Sequence, residues 1–165
     1  MKKRVFVLLC VVFLVGTLSG CSNQDVGASC NEIVKACSDV AEEGSFDIWV
    51  SYGEDLYEES FSGMYGVQYD MLQDGAILYT EEGGKADEIS IMRLKKADDV
   101  SIAKSKLEDR ITQRRKVFEG YKPEEVSKLD QAYVMVQGNY VALIISEDSQ
   151  KFETEIRKMI SEGAE

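Results

Sequence analysis

Residues Ala132 to Ser146 read AYVMVQGNYVALIIS, two β-rich runs on either side of Gly138-Asn139. Valine, isoleucine and tyrosine suit a pleated, half-buried surface, and a Gly-Asn pair tolerates the positive φ of a two-residue hairpin loop. That loop fixes the register: Gln137 faces Tyr140, and Val136 faces Val141. One sheet face then carries Ala132, Val134, Val136, Val141, Leu143 and Ile145. The other carries Tyr133, Met135, Gln137, Tyr140, Ala142 and Ile144. A slip of one residue would exchange the two faces. The second face is too apolar to lie bare in water. Tyr133, Met135, Tyr140 and Ile144 therefore either sit beneath the N-terminal helix or form a patch for a protein partner or ligand.

The remaining elements follow from periodicity. Ser29 is a good helix N-cap, and Cys30, Ile33, Val34, Cys37, Val40 and Ala41 make one apolar helical stripe, with Gly44 as its stop. Residues 45–70 mix aromatics, acids and glycines without a sustained period, and only a short helix near 55–64 is expected there. Gly75–Thr80 and Glu88–Lys95 are strand-like, joined by a turn at Glu81-Glu82-Gly83-Gly84, so they should pair antiparallel. Asp98 or Asp99 is expected to cap a long helix whose apolar row is Val100, Ala103, Leu107, Ile111 and Phe118, with the Arg114 stem in the same row. Gly120 would end it, and Pro123 would open a small helical segment. Phe152, Ile156, Met159 and Ile160 mark a closing amphipathic helix. The fold class is α+β: a single domain over residues 29–163, two antiparallel β-hairpins forming one sheet with helices packed on it, in the order α-(α)-β-β-α-β-β-α.

The beginning of the chain follows different rules. Lys2, Lys3 and Arg4 precede an unbroken apolar stretch from Val5 to Val15, and small residues come next. This is the pattern of an export signal over residues 1–20, and its core is shorter than the ~20 residues of a spanning helix. Leu18-Ser19-Gly20-Cys21 resembles the lipobox of bacterial lipoproteins. The resemblance implies cleavage between Gly20 and Cys21 and a diacylglyceryl group on the Cys21 thiol, with residues 21–28 as a short tether. Two acyl chains anchor stably where one holds only marginally. The expected location is the extracytoplasmic face of the cell membrane.

Removal of residues 1–20 would take away three positive charges and no negative ones, moving the net charge from −11 to −14. Such acidity argues against a nucleic-acid partner, which needs a basic footprint. The chain has no histidine, and so lacks the usual base near neutral pH and the commonest metal ligand. Cys30 and Cys37, seven apart on one helix, are separated by about 10.5 Å of rise, too far to bridge each other, and read as core residues, the alternative being an intermolecular bridge in an oxidising compartment.

No catalytic, cofactor or metal motif is read. Ser101, Lys104 and Ser105 sit on a helix as surface residues would, and Glu58-Glu59 or Glu81-Glu82 point apart instead of across a cleft. Gln113-Arg114-Arg115-Lys116 is the one basic concentration after the signal. It would either complement the dipole of its helix or contact an anionic polymer or lipid.

Ala86-Asp87-Glu88-Ile89, the long charged helix, Tyr121-Lys122-Pro123-Glu124-Glu125 and Gly138-Asn139-Tyr140-Val141 together resemble domain-of-unknown-function family 4358, small exported proteins and lipoproteins of Gram-positive, mostly clostridial, bacteria. Met64-Tyr65-Gly66-Val67 is similar to a tyrosine-glycine-aliphatic step of that family. The likeness covers about residues 55–160 and implies a compartment and a fold, with no activity to carry over. The expected role is a membrane-anchored, non-enzymatic binding or accessory protein. The alternatives are an envelope enzyme of unrecognised chemistry or a small-ligand-binding lipoprotein.

Overall fold

Ser29 starts the first helix through a reciprocal cap. Its hydroxyl accepts from the Glu32 amide (3.2 Å), and Glu32 Oε2 accepts from the Ser29 amide (3.0 Å). Helix α1 (Cys30–Val40) then buries Cys30, Ile33, Val34 and Cys37 completely. The structure is a computed structural model that describes residues 27–80 and 84–163. The signal segment, the cleavage position, Cys21 and the turn residues Glu81, Glu82 and Gly83 lie outside the described residues.

Five strands form one sheet: β1 (Ile48–Ser51), β2 (Leu72–Tyr79), β3 (Glu88–Leu94), β4 (Tyr133–Gln137) and β5 (Tyr140–Ile145). Their order is β1-β2-β3-β5-β4, and every neighbouring pair is antiparallel. Both expected hairpins are present, joined edge to edge through β3 and β5. Gln137 lies opposite Tyr140 and Val136 opposite Val141, as the loop length requires. Within the loop Gly138 has φ +57° and Asn139 is not in the positive region, the pattern of a type II′ turn.

Helices cover both sides of the sheet. On one side Ile77, Met92, Leu94, Val141, Leu143 and Ile145 pack against helix α2 (Tyr57–Ser60), the π-helical turn Phe61–Tyr65 that continues it, and helix α3 (Val100–Tyr121). On the other, Ala76, Leu78, Ile89, Ile91, Ala142 and Ile144 pack against α1 and the last helix, named α5 here (Ser149–Glu162), which follows the short α4 (Val126–Asp130). The alternation within β5 divides its side chains between two cores, so the strand is buried along its whole length.

Several details differ from the sequence reading. Strand β1 was not expected, because four residues in an aromatic and acidic stretch show too little period to identify. A 3₁₀ turn (Ala97–Asp99) leads into α3, and neither Asp98 nor Asp99 caps it with a side chain. The helix also runs through Gly120 to Tyr121. The stop comes from Pro123, which disfavours helical backbone at Lys122 and begins its own 3₁₀ turn.

The second face of the β4–β5 hairpin is occupied. Helix α5 lies over it, while α1 lies over β2 and β3 and packs beside α5. Met135, Tyr140 and Ile144 are buried, and half-buried Tyr133 donates its hydroxyl to Glu153 of α5. Tyr140 Oη donates to the Ala28 carbonyl (2.8 Å). Met135, Tyr140 and Ile144 thus belong to the interior of the domain, and only Tyr133, at the rim of a surface cavity, keeps part of its ring exposed. The cover comes mainly from α5 and not from the N-terminal helix.

Two tests follow from this packing. A Cβ on Gly75 would touch Tyr57 Oη and stand 2.8 Å from Phe61 Cζ, whereas one on Gly63 would meet nothing within 4 Å. Urea unfolding should show Gly75→Ala destabilised by ~1–3 kcal/mol, with Gly63→Ala close to the parent. Burial and the nearby Glu155 charge push the Cys37 thiol up to about 12, and burial with Asp74 raises Cys30 as well. Maleimide at neutral pH should therefore leave both thiols unlabelled in the folded protein and label both in denaturant.

Candidate functional site

Strand β3 is entered through two acids, Asp87 and Glu88, and both are buried. Alternation along β3 turns Glu88 toward α3, where Arg110 and Arg114 stand one helical turn apart on the same face. Arg110 binds the Glu88 carboxylate with both arms of its fork, Nε to Oε1 at 3.1 Å and Nη2 to Oε2 at 2.8 Å. Arg114 Nη1 reaches Oε2 at 3.3 Å, and its Nη2 donates to the Lys85 carbonyl at 3.3 Å. The Glu88 side chain has no exposure, and those of Arg110 and Arg114 keep only 17% and 15%.

One carboxylate thus serves two guanidiniums, and the Asp87 charge next to it also favours the charged form of Arg114. Burial lowers the affinity of both arginines for their protons. For Arg110 the Glu88 charge outweighs burial and the net direction is upward, while for Arg114 burial wins. Both remain cations at any ordinary pH. Aromatic faces support both cations: Arg110 lies 5.6 Å over Tyr65 and Arg114 lies 5.1 Å over Phe118.

Beside this clamp is a second one. Lys128 of α4 donates to Asp87 Oδ2 (2.7 Å) and Glu125 Oε2 (3.0 Å), and the Ala86 amide donates to the same Glu125 oxygen (2.8 Å). Burial opposes charge on Lys128, but its two acids outweigh it and raise its pKa. The Glu125 carboxyl is held below the usual range because its bonds to Ala86 and Lys128 outweigh burial. The Ala86–Glu88 stretch is therefore tied on one side to α3 and on the other to the turn after it.

Two buried hydroxyls complete the site. Tyr65 Oη lies near Ser90 and Glu88, yet neither it nor Ser90 Oγ reaches a partner at hydrogen-bonding geometry. Burial first, and the Glu88 charge second, raise the Tyr65 phenol well above its ordinary pKa. Tyr65 ends the π-helical turn, and Gly66 after it has φ +67°. A groove of about 200 Å³ runs between residues 62–66 and the outer rim of α3, lined there by Lys106, Asp109, Arg110 and Gln113.

Most residues singled out from sequence are not gathered here. Ser101 and Ser105 are exposed, and Lys104 pairs with Glu108. Glu58 and Glu59 are exposed on α2. The basic run is split, with Arg114 on Glu88 and Arg115 on Asp130, several residues before the helix ends at Tyr121. Only Arg114 is drawn into the packing, while Arg115 and Lys116 stay at the surface. Glu88, Tyr65 and Arg110 were not singled out as a site. Their signals were a carboxylate at a core-facing position of a strand and two arginines four apart in an apolar helical row.

The family model of a domain of unknown function (DUF4358) matches residues 53–146, more than half of the chain, and the chain belongs to that family. No curated protein and no solved structure matches it. Three of the segments that carry the resemblance meet at this site: 64–67 brings Tyr65, 86–89 brings Glu88, and 121–125 brings Glu125.

Replacing Glu88 by Gln keeps the shape but leaves two guanidiniums buried without their counter-charge. The expected loss is ~3–5 kcal/mol in urea unfolding. Lys35→Gln, which removes a pair with side chains 63% and 61% exposed, should leave the unfolding midpoint unchanged.

Proposed function

We propose that this protein is a lipid-anchored, non-enzymatic binding or accessory protein on the extracytoplasmic face of a bacterial cell membrane. The observation that carries the reading is Leu18-Ser19-Gly20-Cys21 in register behind a basic start and an eleven-residue apolar stretch. A diacylglyceryl group on Cys21 holds the chain without any help from the domain, since two chains anchor stably. This is compatible with a described domain in which no helix is long and apolar enough to cross a membrane. Between Cys21 and Gly27, where the described chain begins, six residues reach at most ~20 Å. The domain would therefore work close to the bilayer, with its acidic surface repelled by anionic headgroups.

The binding role is supported by the groove between the π-helical turn and α3, whose floor is fixed by the Glu88 clamp. Histidine is absent from the whole chain, Ser101 and Ser105 are exposed on α3, and Lys104 is paired with Glu108.

Intact mass of the protein from membranes tests the anchor. The expected species begins at Cys21 and carries the diacylglyceryl mass, and Cys21→Ser should abolish that mass and release the protein from the membrane fraction. An unmodified Cys21, or residues 1–20 still attached, would overturn the reading.

A further inference from the structure

We infer that the groove between residues 62–66 and α3 is a binding site for a small phosphate-type oxyanion. The inference is independent of the anchor, because the groove exists whether or not Cys21 is modified.

The chain carries a net charge of −11, yet two cations line this groove. Lys106 and Arg110 stand against one lining acid, Asp109. Behind them Glu88 holds Arg110 and Arg114, and with Asp87 acting on Arg114 the buried cluster is close to balanced, so the charge free to meet a ligand is that of Lys106. Lys106 makes no ion pair among the described residues. Its chain lies over Gly66, with Nζ 3.9 Å from where a Cβ would stand, so the ammonium is held beside the π-helical turn. Arg110 uses Nε and Nη2 on Glu88, and its Nη1 carries no hydrogen bond among the described residues.

The clamp makes this arginine a prepared donor. A free surface arginine must order a flexible side chain to bind, whereas Arg110 is already fixed by a bidentate bond on one edge and the Tyr65 ring on its face. Tyr65 itself lines the groove, with its hydroxyl buried on the inner side near Ser90 and Glu88. A cation pair with a rigid fork and a point charge recognises phosphate oxygens, the fork supplying direction and the lysine supplying charge. About 200 Å³ admits a phosphate group with a small substituent and excludes a larger ligand from full entry.

Amide NMR spectra of the full chain in phosphatidylcholine discs, titrated with inorganic phosphate, test this. Saturable shifts are expected at residues 62–66 and Gln113. Lys106→Gln should weaken binding roughly tenfold, the scale of one charge-assisted hydrogen bond. Lys106 is exposed and outside the clamp, so the variant keeps the fold, and Lys116→Gln on the same helix should leave the titration unchanged. If discs containing phosphatidylglycerol produce the same shifts without added phosphate, the source is a lipid headgroup; if they do not, it is a soluble phosphate. Shifts that never saturate, that spread over all exposed lysines, that are equal in Lys106→Gln, or that acetate reproduces with equal affinity would overturn the assignment.

Discussion

A single buried carboxylate, Glu88, decides how the longest helix sits on the sheet. Helix α3 runs for 22 residues, yet only Ala103, Leu107 and Phe118 of it are buried, with Val100 and Ile111 half-buried against the core, while Ile102, Val117 and Tyr121 are exposed. So small an apolar contact is a weak constraint on rotation or sliding. The two arginines supply what is missing, because Arg110 and Arg114 must both meet a carboxylate with no exposure at the start of the central strand. A buried ion pair of this kind gives little net stability against an apolar substitute. Its cost falls on every arrangement that leaves a charge unpaired, so it selects one register.

The same point in the fold gathers the neighbouring elements. Asp87 reaches Lys128, Glu125 accepts from the Ala86 amide, and Tyr65 brings the π-helical turn against Arg110. The segments that carry the family likeness are thus tied to one another through charge around the entrance to β3. Gly138-Asn139-Tyr140-Val141 contributes at another place, since it turns the β4–β5 hairpin and Tyr140 holds the start of the described chain through Ala28.

The sequence was most legible where one period dominated. The β4–β5 hairpin could be read to the residue pair because loop length and alternation agree, and α1 could be read because Ser29 and its stripe agree. Legibility failed where tertiary contacts replaced local ones. Strand β1 is defined by pairing with β2 more than by its own four residues. The end of α3 depends on Pro123 more than on Gly120. The candidate site was hidden for the same reason, since Tyr65, Glu88 and Arg110 are distant in sequence and each is unremarkable alone. Arg114 was read correctly as part of the buried row, but its partner on the facing strand β3 could not be seen from the helix.

The most direct test of the clamp is a double-mutant cycle between Glu88 and Arg110, with Gln at each position and stability read from urea unfolding. If Glu88 fixes α3 through its arginines, the two changes should couple by about 2–3 kcal/mol, because the second substitution removes a charge that the first has left unpaired. Additivity within about 0.5 kcal/mol would contradict the account and leave α3 held by apolar contact alone.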